Sequence, residues 1–294
     1  MASPCGVLNV NKPTGVTSRA VVDRVARPLR PVKVGHAGTL DPLASGVLIL
    51  CVGAATRLIE YVQRMPKTYR TVVRLGARSD THDADGMVVA AAGVEAPGIE
   101  AVRTAVLAQV GTILQKPPEY SALKVEGRRA YDLARAGRVV DLAPRPVTIH
   151  RIDLLSYLWP RLELEVECEG GTYIRSIARD VGETLGCGGL VELLVRTRIG
   201  PFTLGDALDA ETLTAESLPA LIRPAIEAVA ALPALRLTLE QVADVALGRS
   251  VAPAGLDAAR GEVALLDPDG ILVAVAVADP DAGRVAPKRV LTGV

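Results

Sequence analysis

The amino-acid sequence predicts an α+β protein. We expect a mixed, mainly antiparallel sheet flanked by helices, followed by a small β-rich C-terminal domain. Residues 161–168 (RLELEVEC) alternate between apolar residues and, mostly, glutamates, which is typical of an antiparallel strand with one buried face. Residues 99–110 instead carry apolar residues at helical spacing, and Gly111 is a suitable helix end. A composition shift near residue 230 marks the start of the β-rich tail.

Local patterns predict six elements before residue 93. In chain order these are a strand at 7–10, a helix that starts at Thr17 or Ser18 and stops by Pro28, a buried strand at 46–53, a helix at 58–65, a strand at 68–75 and a hairpin with its turn at 80–86. The acids of that turn suggest a calcium loop, but alanine and not glutamate stands at the last ligand position, Ala92. We therefore exclude a calcium site.

The second half divides into an irregular basic stretch, a strand–helix pair and the tail. Residues 117–146 show no core periodicity and carry several arginines, which favours a functional arm or loop. The 161–168 strand leads through 170–175 into a helix ending at Gly186. The tail predicts a helix at 239–246 and a hairpin turn at 267–270. We expect two domains, 1–230 and 231–294, with 117–146 as an arm of the first.

Composition narrows the class of protein. The chain has 294 residues, of which 49% are hydrophobic, enough for a large buried core and two domains. No apolar run approaches the ~20 residues that span a bilayer, and no signal peptide is evident at the start. We therefore expect a cytoplasmic protein without a membrane partner. Its four cysteines and three histidines are too scattered to predict a disulfide framework or a metal site.

The charges are balanced overall but unevenly distributed. Residues 12–70 carry ten Lys and Arg against three acids, and residues 124–151 carry seven against three. Residues 152–230 have six basic and thirteen acidic residues. The first half therefore predicts either a phosphate-binding face or a merely solvated one. Aromatic residues are scarce, six Tyr, one Trp and one Phe, so the chain can stack only one or two bases.

The most informative segment is residues 35–48, GHAGTLDPLASGVL, which places Asp41 at the entry to a buried strand. An Asp followed by Pro is an ordinary turn signal, because its side chain can cap nearby backbone amides. Loops held by a rigid scaffold are also where catalytic groups concentrate. On local pattern alone, Asp41 is either a turn-former or a reagent.

Five short motifs together suggest a family. They are 35–48, 67–70 (KTYR), 80–86 (DTHDADG), 120–124 (YSALK) and 171–175 (GTYIR). In this order they resemble the TruB family of pseudouridine synthases over about residues 5–230. The resemblance implies a pseudouridine-synthase core and an enzyme that isomerises uridine 55 in the T-loop of tRNA. The tail, including residues 287–290 (PKRV), is similar to a PUA-type RNA-binding domain.

The resemblance implies three catalytic residues. Asp41 would attack C1′ or stabilise a cationic sugar while the N1–C1′ bond breaks and a C5–C1′ bond forms. Because the departing base is also the returning nucleophile, no second carboxylate, metal or cofactor is needed. Arg175 would hold the pKa of Asp41 down against burial, with a structural arginine at a helix start as the alternative. Tyr69 would stack on the flipped uracil; without the family it is an ordinary strand tyrosine.

The same resemblance implies further substrate-binding residues. His36 would fill the space left by the everted base, Tyr173 would pack beneath Asp41 and Arg175, and Leu194 would line the pocket. A buried structural histidine and core packing are the alternatives. Asp83 would contact bases near the target. Phosphate contacts are expected from four basic residues, which are otherwise ordinary surface charges: Lys12, Lys124, Arg128 and Arg129.

The implied partner is the T-arm and elbow of tRNA, bound by a monomer without a guide RNA or an obligatory protein partner. Three other functions remain open at this stage. The chain could be an RNA-binding protein without catalysis, such as a chaperone of the tRNA elbow, or a guide-RNA-dependent synthase of the same superfamily. It could also be a small-molecule enzyme whose GHAGT loop cradles a phosphate.

Overall fold

The structure is a computed structural model that describes residues 3–120, 124–125, 128–129 and 142–291. Its strands, in chain order, are β1 (Gly6–Lys12), β2 (Val34–His36), β3 (Ser45–Val52), β4 (Lys67–Leu75), β5 (Ala77–Arg78), β6 (Val89–Ala90), β7 (Gly111–Gln115), β8 (Lys124–Val125), β9 (Arg128–Arg129), β10 (Arg145–Leu158), β11 (Arg161–Cys168), β12 (Gly189–Ile199), β13 (Phe202–Thr203), β14 (Leu208–Asp209), β15 (Ala234–Arg236), β16 (Gly261–Leu266), β17 (Leu272–Asp279) and β18 (Arg284–Val290).

The described α-helices are α1 (Ser18–Leu29), α2 (Ile59–Arg64), α3 (Ile99–Leu107), α4 (Ile174–Thr184), α5 (Leu218–Leu221) and α6 (Leu239–Ala246). Short 3-10 helices lie at Gly53–Leu58, Ala225–Val229 and Leu256–Ala258. In the part of the chain that the structure describes, the helices are all too short or too polar to cross a bilayer.

Ten strands form one large sheet that organises the first 210 residues. Eight of them follow the order β14-β1-β3-β12-β4-β11-β10-β7, while β2 pairs with β3 and β13 with β12. The β1–β14 and β12–β3 pairings are parallel and the others are antiparallel. The predicted mixed and mainly antiparallel sheet is confirmed.

The alternating strand β11 shows why the sheet buries one face in its centre. Leu162, Leu164 and Val166 are buried in a core cluster to which α3 and α4 contribute their apolar faces. The intervening glutamates lie on the opposite face, where Glu165 pairs with Arg70 of β4 at 2.9 Å. Period-two patterning therefore assigns each side chain of β11 to the core or to a charged surface.

Helix α1 covers the other end of the large sheet. Its Val21, Val22 and Val25 pack in a cluster with buried residues of β1 and β3. The helix is capped by Thr17, whose hydroxyl accepts a hydrogen bond from the Ala20 amide at 3.1 Å. It ends at Leu29, one residue beyond the predicted stop. Pro28 is accommodated in the last turn, where it removes a single backbone donor.

Several strands escaped prediction, among them β7, β10 and β12 of the large sheet. Gly111 was expected only to end a helix, but α3 ends at Leu107 and Gly111 begins β7. Strand β10 pairs with β11 through two register shifts, and β12 pairs with β4 through two more. Each bulge inserts a residue and breaks the alternation of buried and exposed positions, so neither strand shows a clean period of two.

The C-terminal part is β-rich, as predicted. Strands β15 to β18 form a four-stranded sheet in chain order, and α6 begins with a capping box in which Thr238 and Gln241 bond each other's backbone. The sheet packs against α2. Buried Leu272 and Val275 share a cluster with Tyr61 and Val62 of that helix.

Polar contacts reinforce this junction. Glu262 of β16 accepts a hydrogen bond from the Tyr61 hydroxyl at 2.9 Å and lies 3.5 Å from Arg64. Lys288 contacts Glu262 at 2.6 Å, and Arg289 contacts Glu60 at 2.8 Å. Helix α2 is therefore held on one side by the C-terminal sheet.

Most of the predicted basic arm, 117–146, lies outside the described residues. The backbone of β8 pairs with β9 as a short antiparallel ladder. This ladder contains Lys124, Arg128 and Arg129, whose side chains lie outside the description. The 121–123 part of the fourth motif also lies outside it.

Candidate active site

The loop between β2 and β3 carries Asp41 and is fixed at several points. The Ser18 hydroxyl accepts a hydrogen bond from the Leu40 amide at 2.9 Å and donates to the Leu40 carbonyl at 3.1 Å. The Ala44 amide donates to the Asp41 carbonyl at 3.1 Å, which closes a turn. Asp41 is thus part of a turn, and its side chain still remains 35% exposed. The two alternatives for this residue are compatible.

Arg175 lies directly against Asp41. It stands in the first turn of α4, and its Nε atom is 2.9 Å from Asp41 Oδ2. The arginine side chain is only 5% exposed. The structure therefore brings together two residues that are 134 positions apart in the sequence.

The remaining nitrogens of Arg175 are also engaged. Nη1 lies 3.4 Å from Asp83 Oδ2 and donates to the Thr81 carbonyl at 2.9 Å, while Nη2 donates to the Tyr120 carbonyl at 2.9 Å. Asp83 is itself held by the Thr81 hydroxyl at 2.6 Å and is buried. These contacts give the guanidinium a single orientation toward Asp41.

Burial raises the pKa of Asp41 above its ordinary value. Arg175 and Lys12 act in the opposite direction, and the nearby Asp83 carboxylate adds to the increase. Arg175 therefore offsets part of the burial effect, and the pKa of the carboxyl stays above its usual range. The desolvation of a carboxylate at the base of a cleft is the physical reason.

Asp41 and Arg175 lie in a cleft of about 670 Å³. Four residues predicted from the resemblance line it beside Asp41, namely Tyr69, Tyr173, Arg175 and Leu194. Tyr69 projects from β4 and Leu194 from the neighbouring β12, so the sheet forms one wall. The volume is in the range of pockets that accept a small organic group such as a nucleoside.

Two residues that were predicted to contact the substrate, His36 and Asp83, do not line the cleft. His36 belongs to β2, where it pairs with Leu50 of β3, and it is half-buried outside the cleft lining. Asp83 lies behind Arg175 and not on the cleft surface. Its predicted contact with RNA bases stays a prediction, and its burial favours support of the guanidinium.

Lys12 is not available for a phosphate contact, so that prediction was wrong. The side chain is fully buried, and Nζ donates to the carbonyls of Pro13 at 2.9 Å, Val16 at 2.7 Å and Pro42 at 3.4 Å. Burial lowers its pKa to about 8. An ammonium surrounded by carbonyls satisfies its hydrogen bonds inside the protein. Lys12 thus ties the turn after β1 to the loop that carries Asp41.

Lys12→Met is expected to lower the free energy of unfolding by about 2–4 kcal/mol, because bonds from a charged donor are lost and carbonyls are left unpaired. RNA affinity and its salt dependence should stay unchanged. Urea unfolding and filter binding at several salt concentrations measure the two effects. Lys33→Met, at an exposed position, is the matched control. A weaker salt dependence with unchanged stability would restore the phosphate role.

His82 marks a strained point behind the site. It is a non-glycine residue with a left-handed backbone, at φ 61°. It lies between Thr81 and Asp83, which both contact Arg175. Burial, followed by the charges of Arg179 and Arg175, lowers the pKa of His82 from 6.5 to about 4.

This shift predicts a pH dependence of stability. Between about pH 4 and 6.5 the unfolded chain binds a proton at His82 that the folded chain does not, so the unfolding free energy rises with pH. We expect the stability of wild type relative to His82→Asn to increase across this window and to level off above it. Asparagine tolerates the left-handed conformation. Urea unfolding at a series of pH values gives the difference curve, and a flat curve would contradict the shift.

Sequence reasoning assigned no site role to three residues at or near the cleft, namely Arg145, Gln115 and Arg196. Arg145 donates to the Gly171 carbonyl at 2.6 Å and lies 5.4 Å from the centre of the Tyr173 ring. Gln115 bonds both backbone groups of Tyr173, at 2.8 and 3.1 Å. Together they fix the turn that begins α4. Arg196, a buried arginine in β12, was also missed, although a basic residue inside an apolar strand was a visible signal.

Comparisons with known proteins agree with this geometry. The model of the TruB family pseudouridylate synthase N-terminal domain matches residues 26–174, and that of the tRNA pseudouridylate synthase B C-terminal domain matches 175–232. A tRNA pseudouridine synthase B of Arthrobacter sp. (strain FB24) is 44% identical, over 96% of this chain and 94% of that relative. One of Thermobifida fusca (strain YX) is 42% identical, over 92% and 94%.

Solved structures share the fold. Cbf5 in a complex with Nop10 and Gar1 aligns with a TM-score of 0.74 and 26% identity, over 98% of this chain and 85% of that chain. An H/ACA RNP bound to a substrate RNA containing 2′-deoxyuridine aligns with a TM-score of 0.73 and 25% identity, over 98% and 85%.

Fold and cleft thus define a pseudouridine synthase, an isomerase that converts uridine to pseudouridine. Together the two family models match residues 26–232, and the two relatives match 96% and 92% of the chain. The chain belongs to the TruB family. The resemblance predicted from the five motifs is confirmed, and so is the enzyme class.

Proposed function

We propose that the chain isomerises uridine 55 in the T-loop of tRNA, with Asp41 acting on C1′. The observation that carries this proposal is the Asp41–Arg175 pair at 2.9 Å inside a cleft that also presents Tyr69 and Leu194. The relatives in Arthrobacter and Thermobifida are named tRNA pseudouridine synthase B, which supports tRNA as the substrate.

The reaction needs no reagent beyond the substrate and the protein. The N1–C1′ bond breaks, the uracil turns, and a C5–C1′ bond forms; the proton lost from C5 is balanced by one gained at N1. Asp41 either bonds covalently to C1′ or stabilises the positive charge that develops on the sugar. In both routes the carboxyl must be ionised, and the Arg175 guanidinium favours that form.

The cleft walls would hold the uracil while it is detached. Tyr69 stacks on the everted ring, and Leu194 supplies an apolar surface on the adjacent strand. Tyr173 supports the Asp41–Arg175 pair from the start of α4. The half-buried His36, five residues before Asp41, fills the vacancy in the RNA left by the everted base.

RNA outside the cleft would be held by two further regions. The arm, residues 117–146, contains Lys124 in β8 and Arg128 and Arg129 in the paired strand β9, and we propose that these three residues contact phosphates. Residues 231–294 form the proposed PUA-like RNA-binding domain, and residues 1–230 the catalytic domain. We also propose that the chain acts as a monomer without guide RNA.

The test is pseudouridine formation by the purified chain. Unmodified tRNA and a T-arm hairpin with C5-tritiated uridine are incubated with protein alone, and tritium release and modified positions are measured. We expect release from both RNAs, at position 55 only. RNA binding without tritium release would indicate an RNA-binding protein that has no catalytic activity. Activity only after adding guide RNA and partner proteins would support a guided synthase, and activity on free nucleotides alone a small-molecule enzyme.

A further inference from the structure

Arg196 is a buried arginine with no role in the chemistry described so far. It lies in β12 and is 1% exposed. Its Nε donates to the Val47 carbonyl at 2.7 Å, Nη2 to the Gly38 carbonyl at 3.0 Å and Nη1 to the Thr39 carbonyl at 3.5 Å. Among the described residues, no carboxylate lies within ion-pair distance of it. Backbone carbonyl dipoles therefore compensate this buried charge.

These bonds reach both ends of the loop that carries Asp41. Gly38 and Thr39 lie two or three residues before Asp41, whereas Val47 follows the loop in β3. The backbone of Arg196 also pairs with Gly46, where an added Cβ would come within 2.2 Å of the Arg196 carbonyl oxygen. One residue of β12 thus holds the loop where it starts and where it ends.

The same arginine also lies beside Tyr69. Arg196 stands directly opposite Tyr69 in the antiparallel β4–β12 pair, so the two side chains lie on the same face of the sheet. Both residues line the cleft, and Arg196 offsets part of the rise that burial causes in the pKa of Tyr69. Tyr69 and the Asp41 loop therefore both have Arg196 as a direct neighbour.

We propose that Arg196 is a positioning residue that sets the placement of Tyr69 relative to the Asp41 carboxylate. It acts through these two groups and does not itself react. The inference rests on the proposed function, because it assumes that Tyr69 and Asp41 act on the same nucleotide. Lysine cannot replace it, because a single ammonium lacks the planar fork that reaches the Val47 and Gly38 carbonyls at once.

The first test is Arg196→Lys. We expect kcat for pseudouridine formation to fall about 30-fold, within the range for a misplaced reacting group. The Kd for a T-arm hairpin should stay within about 2-fold. Arg198→Lys, an exposed arginine two residues along the same strand, should leave both constants unchanged. A kcat within 2-fold of wild type would overturn the proposal, as would a loss confined to Kd.

A double-mutant cycle separates positioning from general damage to the fold. Tyr69→Phe removes the hydroxyl of the cross-strand neighbour of Arg196, so Arg196→Lys should cost less kcat in that background than in wild type. Equal losses in both backgrounds would overturn the link to Tyr69. Thermal unfolding of each variant shows whether the protein stays folded at the assay temperature.

A third measurement does not depend on activity. Amide hydrogen exchange across residues 37–46 should become faster in Arg196→Lys and stay unchanged in Arg198→Lys. Unchanged exchange in both would overturn the role in holding the loop. If wild type forms no pseudouridine at position 55 but exchange still responds, the proposed function fails while the loop anchor remains.

Discussion

Asp41→Asn is expected to reduce pseudouridine formation by about 10⁴-fold or more, with the Kd for a T-arm hairpin unchanged within about 2-fold. Losses of this size are found when the nucleophile of a covalent enzyme is removed. Asparagine keeps nearly the same shape, so the turn closed by the Ala44 amide should persist. Tritium release from C5-labelled uridine gives the rate, and filter binding gives the affinity.

Asp85→Asn is the matched control, since Asp85 is an exposed acid in the loop that also contains Asp83. Its rate should stay within about 2-fold of wild type. If Asp41→Asn retained more than a hundredth of the wild-type rate, Asp41 would be a turn-former after all. The carboxylate that acts on C1′ would then have to be sought elsewhere.

Arg175→Met should have the second largest effect, through both catalysis and stability. The turnover number should fall by about 10³-fold, because the guanidinium that orients and stabilises the ionised carboxyl is lost. Stability should fall by about 3–5 kcal/mol, because Asp83 would be buried without its partner. Single-turnover kinetics and urea unfolding measure the two losses.

The effect of Arg175 on Asp41 also predicts the direction in which the pH dependence of kcat/KM should shift. Arg175 lowers the pKa of Asp41 and Asp83 raises it. The acid limb of kcat/KM should therefore move to higher pH in Arg175→Met and to lower pH in Asp83→Asn. Arg179→Lys, one turn along the same helix, should leave the limb in place. If the acid limb moved in the same direction in Arg175→Met and in Asp83→Asn, the opposite effects assigned to these two charges on the pKa of Asp41 would be refuted.

The local sequence pattern was sufficient to predict a strand when its apolar and polar residues alternate regularly along its whole length. Strand β11 was predicted because its glutamates and apolar residues alternate without interruption. Strand β10 was not, because its pairing with β11 shifts register twice. The position of a bulge depends on the strand with which a segment pairs. The sequence of that segment alone does not identify its partner, so it does not predict the bulge.

The site shows the same division between local and long-range information. Asp41 and Arg175 were predicted only through five motifs taken together, since no rule of spacing relates residues 134 positions apart. Lys12 was counted as a surface charge, because a charge count does not distinguish an exposed ammonium from one surrounded by carbonyls. Arg196 escaped notice because its carbonyl partners lie on β3 and in the loop before it, and no local pattern in the sequence relates these segments to β12.

The junction of α2 with the C-terminal sheet affects how deletions should be interpreted. Glu60 and Arg64 of α2 line the cleft and also contact Arg289 and Glu262 beyond residue 230. A shortened chain lacking the last sixty residues would lose these contacts and expose the apolar side of Tyr61 to water. Its inactivity would therefore be no measure of RNA contacts made by the missing segment. Exchanging surface side chains one at a time, with Glu262 and Arg289 left in place, avoids this confusion.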